Sequence, residues 1–319
     1  MSIDLNQHLR TITRALNPAG PQIAIVSPSG YAPDPEAVNK GISTLEAQGC
    51  RVRNLTDPAL RFHRFGASDD QRIAQLLAAA SDPDIDIVLA LRGGYGLTRL
   101  LPDLDLGLLA RSGKLFVGHS DFSALQMALL AQEGCVTFSG PMLCDDFVRT
   151  PLSDFTLNNF WQCLTSRQYV IRGSASGNPA LDVEGMIWGG NLAMLTHLVG
   201  SPWLPDVEGG ILFVEDVNEH PYRVERMLLQ LLHAGVLQRQ RAVLLGDFSG
   251  YRLSEYDNGY DFARMLDWLR AHVPVPILQG LPVGHGLDKA TVPVGAQARL
   301  VSAEDGFSLT ISSYPLLSP

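Results

Sequence analysis

The stretch LFVGHSDFSALQMALLA, residues 115–131, shows how the first half of the chain is built. Its opening apolar run, 115–117, is typical of a buried strand, and residues 122–131 are predicted as a helix. Between them GHSD (118–121) forms the turn. A serine at a strand-to-helix turn presents its hydroxyl to solvent, and the next N–H lies at the helix N-terminus. The stretch predicts an α/β unit in which Ser120 is a candidate nucleophile. Alternatively, Ser120 or Asp121 is simply an N-cap.

The same alternation of strand and helix extends upstream. Residues 23–26 form a short apolar run that ends at a Ser-Pro-Ser-Gly turn, and residues 85–91 form a second such run. Residues 38–49 and 71–80 are predicted as helices, the second from its periodic apolar positions. Alternation at this spacing is typical of βαβ units. It predicts a parallel sheet covered by helices on both faces.

The second half of the chain has a different pattern. Apolar runs at 211–214 and 242–245 are predicted as strands, as are 291–301 and 307–312, the last two without a helix between them. The stripe of a core-facing helix lies between the first two strands, at Val224, Met227, Leu228, Leu231 and Leu232. The second half is therefore predicted as α/β with more antiparallel strand content.

Length and composition divide the chain into segments. A chain of 319 residues is long enough for two domains. Residues 165–183 are rich in Ser, Gly and Arg and poor in apolar residues, so we predict a linker there. It would join a first domain, 21–164, to a second, 184–319, with 1–20 as a polar N-terminal extension.

The charge balance excludes several classes of partner. The chain has 33 acidic and 24 basic residues, a net charge of -9, and no concentrated basic run of the kind that a nucleic-acid surface needs. Residues 1–20 lack the apolar core of a secretory signal, and no window approaches the roughly 18 apolar residues of a membrane span. We expect a cytoplasmic protein with no membrane association. The four cysteines form no CxxC pair, so a metal site is not predicted, and no motif indicates a cofactor.

Three clusters could carry chemistry at the carboxyl ends of the predicted strands. The first is RGGYG (92–96), whose glycines expose backbone N–H groups or simply make a turn. The second is the Ser120 turn. The third joins Glu215 or Asp216, at the end of a strand, with His285 in a glycine-framed loop. Serine hydrolysis needs a base that can reach the nucleophile and a carboxylate that orients the imidazole. Because adjacent strand residues point to opposite faces, only one of the two carboxylates is expected to face His285.

The other histidines are weaker candidates. His119 adjoins Ser120, but its side chain should point away from its neighbour's. A lone histidine is more often structural than catalytic, which applies to His285 as well when it is taken alone. No HExxH, HxxEH or HxH spacing is present to indicate a zinc site.

Taken together, these motifs resemble the LD-carboxypeptidase family, serine peptidases that act on muramoyl tetrapeptides in peptidoglycan recycling. The resemblance extends from about Pro21 to the end of the chain. The motifs that carry it, in order, are VSPSG (26–30), RGGYG (92–96), GHSD (118–121), GGNL (189–192), VEDVNEHPYRVERMLLQL (214–231) and VGHG (283–286).

The resemblance implies a fold and a set of roles. The first domain would be flavodoxin-like and carry the nucleophile Ser120, and the second would supply Glu215 and His285 to complete a triad. The oxyanion hole would consist of the backbone N–H groups of Gly94 and Asp121. The reaction would release terminal D-alanine from murein tetrapeptide, and relatives imply a homodimer. The chain departs from the family in GHSD, where members commonly have GYSD, so that His119 replaces a tyrosine in the pocket wall.

Two points stay open at the level of sequence. Arg92 and Arg226 are candidate cations for the substrate's terminal carboxylate. Arg226 adjoins Glu225, so the alternative for it is a surface ion pair and no substrate contact. The alternative functions are a microcin-immunity-type hydrolase, which cleaves a peptidyl-aminoacyl-nucleotide amide with the same triad, and a non-catalytic two-domain binding protein.

Overall fold

The computed structural model describes residues 13–15, 20–174 and 177–318. The strands are β1 Thr13–Ala15, β2 Gln22–Val26, β3 Arg51–Asn54, β4 Ile87–Ala90, β5 Leu115–Gly118, β6 Thr137–Ser139, β7 Gln168–Gly173, β8 Leu181–Asn191, β9 Ile211–Val217, β10 Ala242–Ser249, β11 Ile277–Gln279, β12 Val292–Val294, β13 Ala296–Ala303, β14 Gly306–Ser312 and β15 Leu316–Ser318. The α-helices are α1 Pro35–Ala47, α2 Asp69–Ser81, α3 Leu97–Leu100, α4 Leu106–Arg111, α5 Ser123–Glu133, α6 Leu143–Asp146, α7 Asp154–Thr165, α8 Leu192–His197, α9 Pro221–His233 and α10 Phe262–His272. Within these ranges, no helix combines the length and the apolar character that crossing a bilayer would require.

The first half forms a six-stranded sheet in the order β12-β6-β5-β4-β2-β3. The five strands of the first half are parallel, and their order, 2-1-3-4-5 by appearance in the chain, is that of the flavodoxin-like fold. The predicted fold of this half is therefore confirmed. The strand order reverses between β2 and β4, so the loops after these two strands diverge at the crevice where such sheets bind ligands.

The strand–turn–helix at 115–131 follows its sequence pattern. All four residues of β5 are buried, and α5 begins at Ser123 after a short 3-10 turn, Ser120–Phe122. Gly134 ends the helix in the left-handed conformation, with φ 61°, which glycine adopts without steric cost. Because α5 is buried over most of its length, it fixes the turn before it against the core.

The second half forms a seven-stranded mixed sheet in the order β11-β10-β9-β8-β13-β14-β7. The pairs from β11 to β8 are parallel, and those from β8 to β7 are antiparallel. The predicted antiparallel content is confirmed. Helix α9 packs its apolar stripe inward, with Val224, Leu228 and Leu231 buried.

Strands lie within the predicted linker and within the predicted N-terminal extension. The stretch 165–183 contains β7, in which Tyr169 and Ile171 are buried and which forms an edge of the seven-stranded sheet by pairing with β14. In the predicted N-terminal extension, 1–12 and 16–19 lie outside the described residues, and β1 pairs in parallel with β15.

One strand of the second half belongs to the first sheet. The predicted strand 291–301 is two strands separated at Gly295, which has φ 99°. Strand β12 pairs antiparallel with β6, with Pro293 opposite Phe138, whereas β13 pairs with β8 and β14. The chain therefore passes from β11 in one sheet to β12 in the other, and His285 lies on the connection.

Candidate active site

Ser120 occupies a strained turn at the carboxyl end of β5. Its φ is 62°, in the left-handed region that a side chain rarely adopts, and the residue is half-buried. Gly93 packs directly against it, because a Cβ added to Gly93 would lie 2.7 Å from both Cβ and Oγ of Ser120. A strained turn of this kind is what the nucleophile prediction expects. The N-cap alternative is not observed, because the N-cap positions are His119 and Phe122 and neither side chain caps its helix.

The glycine-rich loop after β4 lies beside this turn. The Gly30 N–H donates to the Gly93 carbonyl at 3.2 Å, which joins the loops after β2 and β4. Gly94 is exposed with φ 120°. In the described part of the chain, neither the Gly94 N–H nor the Asp121 N–H donates to another residue, so neither predicted oxyanion donor has an internal acceptor.

The carboxylate of Asp121 holds three loops together. It is almost completely buried, and its Oδ2 accepts from the Ser29 hydroxyl at 2.6 Å and from the Leu97 N–H at 3.0 Å. Burial raises the pKa of Asp121, although these hydrogen bonds act in the opposite direction. Sequence reasoning assigned this residue an N–H donor or an N-cap role, and not a contact with other loops. The contacts that give its side chain a role come from loops far away in sequence.

Glu215 and His285 form the central pair of the second half. Glu215 is buried near the end of β9, and its Oε2 lies 2.7 Å from His285 Nδ1. Gly284 permits this approach, because a Cβ there would meet Glu215 Oε2 at 3.0 Å and its φ is 121°. Burial lowers the pKa of His285, but the hydrogen bond and charge of Glu215 outweigh burial, so the pKa is raised. In the neutral imidazole whose Nδ1–H donates to this carboxylate, Nε2 carries no proton and can act as a base.

Asn191 and Asp216 support this pair. Asn191 lies opposite Glu215 in the sheet register, and its Nδ2 donates to Glu215 Oε1 at 3.3 Å and to Asp216 Oδ1 at 3.1 Å. Asp216 also accepts from the Ala193 N–H, and burial together with the charge of Glu215 raises its pKa to about 6. Only Glu215 of the two carboxylates bonds His285, as the alternation of strand residues predicts. Asn191 was missed, although it lies in the GGNL motif.

A second imidazole packs against His285. The rings of His119 and His285 meet edge to face with centroids 5.0 Å apart. His119 Nδ1 donates to the Gly140 carbonyl at 2.9 Å, and its buried Nε2 has no partner among the described residues. Burial, with the charges of Lys289 and His285, holds the pKa of His119 well below its usual value. Since His119 adjoins Ser120, this contact brings the His285 loop to the serine turn, although no hydrogen bond joins Ser120 to His285 within the described ranges.

The backbone also links the two halves near the serine. The Asn191 N–H donates to Ser123 Oγ at 3.0 Å, and a Cβ on Gly190 would lie 2.5 Å from that oxygen. Ser123 is the first residue of α5, three positions after Ser120. The end of β8 is therefore in direct contact with the helix that follows the serine turn.

The two predicted carboxylate-binding arginines lie in different surroundings. Arg92 is half-buried, and its Nη1 donates to the Tyr31 carbonyl at 3.2 Å, within the loops of the first half. Arg226 is exposed on α9, and in the described part of the chain no hydrogen bond or ion pair joins it to Ser120, Glu215 or His285. Its neighbour Glu225 accepts from the Tyr260 hydroxyl instead.

A buried ion pair near the His285 loop was also missed. Lys289 Nζ lies 2.6 Å from Asp146 Oδ1, and both side chains are almost fully buried. Arg149 lies just after α6, which ends at Asp146, and donates to the Gly286 carbonyl. No sequence signal links these positions, because Asp146 and Lys289 are 143 residues apart. Within the described ranges, no group of three or more His, Cys, Asp or Glu side chains converges as metal ligands would.

Comparison with known proteins gives this geometry a context. Residues 23–140 match the LD-carboxypeptidase N-terminal domain, and residues 184–300 match the LD-carboxypeptidase C-terminal domain. The probable murein peptide carboxypeptidase of Bacillus subtilis is 31% identical over 295 residues, which cover 91% of this chain and 92% of that protein. The microcin C7 self-immunity protein MccF of Escherichia coli is 26% identical over 307 residues, or 85% of this chain and 87% of that protein.

A solved structure is similar throughout. The crystal structure of muramoyltetrapeptide carboxypeptidase from Oxalobacter formigenes is 53% identical, with a TM-score of 0.89, and the match covers 92% of this chain and 99% of that one. Both halves of the fold, and the loops that carry the candidate residues, fall within these matches. The chain belongs to the LD-carboxypeptidase family.

Proposed function

We propose that this protein is an LD-carboxypeptidase that releases terminal D-alanine from murein tetrapeptide, with Ser120 as nucleophile, His285 as base and Glu215 as the orienting carboxylate. The observation that carries the proposal is the 2.7 Å contact between Glu215 and His285, on a loop that packs against the residue before Ser120. The names of similar proteins, a murein peptide carboxypeptidase and a muramoyltetrapeptide carboxypeptidase, support the same substrate.

The reaction would begin with proton transfer from the Ser120 hydroxyl to His285 Nε2. The serine oxygen attacks the carbonyl of the L-centre that precedes D-alanine, and a tetrahedral oxyanion forms. Glu215 stabilises the imidazolium, in agreement with the raised pKa of His285, which burial alone would lower. His285 then gives the proton to the D-alanine nitrogen as the amide bond breaks. Water, deprotonated by His285, releases the acyl group from Ser120 and regenerates the enzyme.

The N–H groups of Gly94 and Asp121 are the proposed donors to the oxyanion. Each such donor contributes about 3 kcal/mol to transition-state stabilisation in comparable sites. Both belong to the loops that the Asp121 carboxylate ties together through Leu97 and Ser29. The hole would thus be formed before substrate arrives.

The two alternative functions are less well supported. A peptidyl-nucleotide hydrolase would use the same triad, but the relative of that kind, MccF, is 26% identical, below the 31% and 53% of the carboxypeptidases. A non-catalytic binding protein would not need the strained serine or a carboxylate bonded to a histidine. We therefore place both behind the carboxypeptidase.

The decisive experiment is mass spectrometry of peptide digests. Murein tetrapeptide incubated with the protein should lose one alanine and give the tripeptide, while a processed nucleotide peptide should stay intact. Cleavage of the nucleotide peptide alone would favour the microcin-type alternative. If neither the tetrapeptide nor the nucleotide peptide is cleaved, the result would favour a binding protein.

Localisation and assembly follow from the family resemblance alone. We propose that the enzyme acts in the cytoplasm, on recycled peptidoglycan fragments, and as a homodimer. Cell fractionation and light scattering coupled to size-exclusion chromatography test these two points, and a periplasmic location or a monomer would contradict them.

A further inference from the structure

A carboxypeptidase must recognise the free carboxylate of the residue that leaves. In the proposed reaction His285 protonates the nitrogen of D-alanine, and the carboxylate carbon of that residue lies only about 2.5 Å from the nitrogen, two bonds away. The cation that binds this carboxylate must therefore lie beside the His285 loop. The cationic side chains near the site can therefore be compared by their contact with the His285 loop.

Arg149 is bonded directly to that loop. Its Nη2 donates to the carbonyl of Gly286, the residue after His285, at 3.3 Å, and its Nε donates to the Asp145 carbonyl at 2.7 Å. These two bonds fix the guanidinium plane next to the loop. The side chain is 26% exposed, so solvent reaches it.

The guanidinium has binding capacity left over. Arginine carries five N–H donors, and no hydrogen bond from Arg149 Nη1 reaches another residue in the described part of the chain. Among the described residues, the one ion-pair partner of Arg149 is shared, since Asp146 Oδ1 lies 2.6 Å from Lys289 Nζ and 3.6 Å from Arg149 Nη2. A second carboxylate, Asp145, lies in the same cluster, where burial and the charge of Asp146 raise its pKa. Of the two cations beside Asp146, Arg149 is the more exposed and the less tightly paired.

The other cations meet the requirement less well. Lys289 is buried and fully engaged with Asp146. Arg92 donates to the Tyr31 carbonyl in the loops of the first half. Arg226 is exposed on α9 without a bond to the His285 loop among the described residues.

We propose that Arg149 binds the terminal carboxylate of the substrate through its unoccupied Nη1 donors, and that it thereby makes the enzyme specific for a free chain end. An arginine suits this role because its planar fork can hold a carboxylate by two parallel hydrogen bonds. The inference rests on the proposed carboxypeptidase function and extends it to the recognition of the leaving residue.

Two substrates test the inference: a tetrapeptide ending in free D-alanine and the same peptide ending in D-alanine carboxamide. The parent enzyme should prefer the free acid in kcat/KM. Arg149→Ala should lower kcat/KM for the acid by about 10- to 100-fold, the range for loss of a hydrogen bond to a charged group, and leave the carboxamide near the parent value. Arg149→Gln, which keeps a donor for the Gly286 carbonyl but has no charge, should give the same loss of preference.

Arg239→Ala is the matched control. Arg239 also donates from Nε to the carbonyl four residues earlier, Gly235, and pairs with a carboxylate, Asp206, but it lies before β10 at the end of the sheet opposite Glu215. This variant should keep the parent preference for the acid. Equal losses on both substrates in the Arg149 variants would mean that Arg149 only positions the His285 loop, and would overturn the inference, as would an unchanged preference. A parent enzyme that cleaves both peptides equally well would overturn it too, whereas one that cleaves neither refutes the proposed function and the inference with it.

Discussion

The six-stranded sheet brings backbone geometry to the candidate site, whereas the seven-stranded sheet brings titratable side chains. On one side, Ser120 is held at φ 62° against Gly93, in loops joined by backbone hydrogen bonds. On the other, Glu215 bonds His285 and is itself bonded by Asn191. The division teaches that presenting a nucleophile is a problem of chain conformation, while tuning a base is a problem of local charge.

The two histidines that meet between the sheets show the same contrast at closer range. Their ring centroids are 5.0 Å apart, yet burial lowers the pKa of His119, while Glu215 overcomes burial and raises the pKa of His285. His285 has a carboxylate at 2.7 Å and is the less buried of the two rings. Position in the cleft alone therefore does not determine the protonation state of an imidazole.

The largest expected effect is loss of activity when the proposed nucleophile, on the six-stranded sheet, is removed. Ser120→Ala should lower turnover of the tetrapeptide by about a millionfold, by analogy with other serine peptidases. The measurement is D-alanine release under saturating substrate. Ser123→Ala, at the first residue of α5, is a matched control and should lose far less. A Ser120→Ala enzyme close to the parent rate would refute the assignment.

The next largest effect is expected when the Glu215 carboxylate, on the seven-stranded sheet, is removed. Glu215→Gln should lower kcat by about ten-thousandfold, since the imidazole loses its orienting anion. It should also lower the pKa of His285, because the hydrogen bond and charge that raise it are lost. The acidic limb of the kcat/KM profile, which reports protonation of the base, should then move to lower pH.

A comparison with the neighbouring residue sharpens this prediction. Asp216 contributes charge at His285 but no hydrogen bond, so Asp216→Asn should shift the limb in the same direction by less. An equal shift in the two variants would show that the Glu215 hydrogen bond is not what sets the pKa.

A methyl group on Gly93 tests whether backbone fit matters on the nucleophile side. In Gly93→Ala the new Cβ would lie 2.7 Å from Ser120 Oγ, so either the serine or the loop must shift. We expect kcat/KM to fall by about 100-fold, as for displacements of about 1 Å in other enzymes. Thermal unfolding of the variant separates this effect from loss of the fold, and parent-level activity would contradict it.

The smallest predicted effect concerns His119 and stability. In the unfolded chain this side chain takes up a proton near pH 6.5, whereas in the native state its pKa lies well below that value. The unfolded state therefore binds more protons, and the His119 contribution to stability falls as pH drops below about 6.5, by up to about 1.4 kcal/mol per pH unit.

Urea unfolding between pH 5 and pH 8 measures this slope, in the range set by the usual histidine pKa of about 6.5. His119→Phe should make it shallower, and His233→Phe shows what loss of an exposed imidazole does to the same slope. A slope in His119→Phe as steep as the parent's would mean that other groups cause the acid sensitivity.

Much of the architecture could be predicted from the sequence because it depends on patterns within short, contiguous stretches. The apolar run at 115–117, the turn and the helix after it are contiguous, and the parallel sheet follows from their repetition. The pattern could not show that the apolar residues on either side of Gly295 pair with different sheets. Nor did the polar stretch 165–183 indicate β7, where only alternate residues such as Tyr169 and Ile171 are buried.

The candidate site likewise has residues that local sequence can identify and residues that it cannot. Ser120, Glu215 and His285 stand in glycine-framed or strand-end positions that sequence alone can single out. The side-chain roles of Asp121 and Asn191 depend on partners brought close only by folding, such as Ser29 at 92 positions from Asp121. Contacts of that range leave no mark in one sequence.

The passage of the chain from β11 to β12 has a consequence for dividing the molecule. A cut between α7 and β7 would leave the first fragment with a sheet that lacks its edge strand, β12. The second fragment would carry β12 without its partner strand β6. Reassociation would restore the strand and bring the His285 loop to the serine turn in a single event. Recovered peptidase activity of such a split enzyme would thus count associated fragment pairs, which makes the fold a natural reporter for complementation.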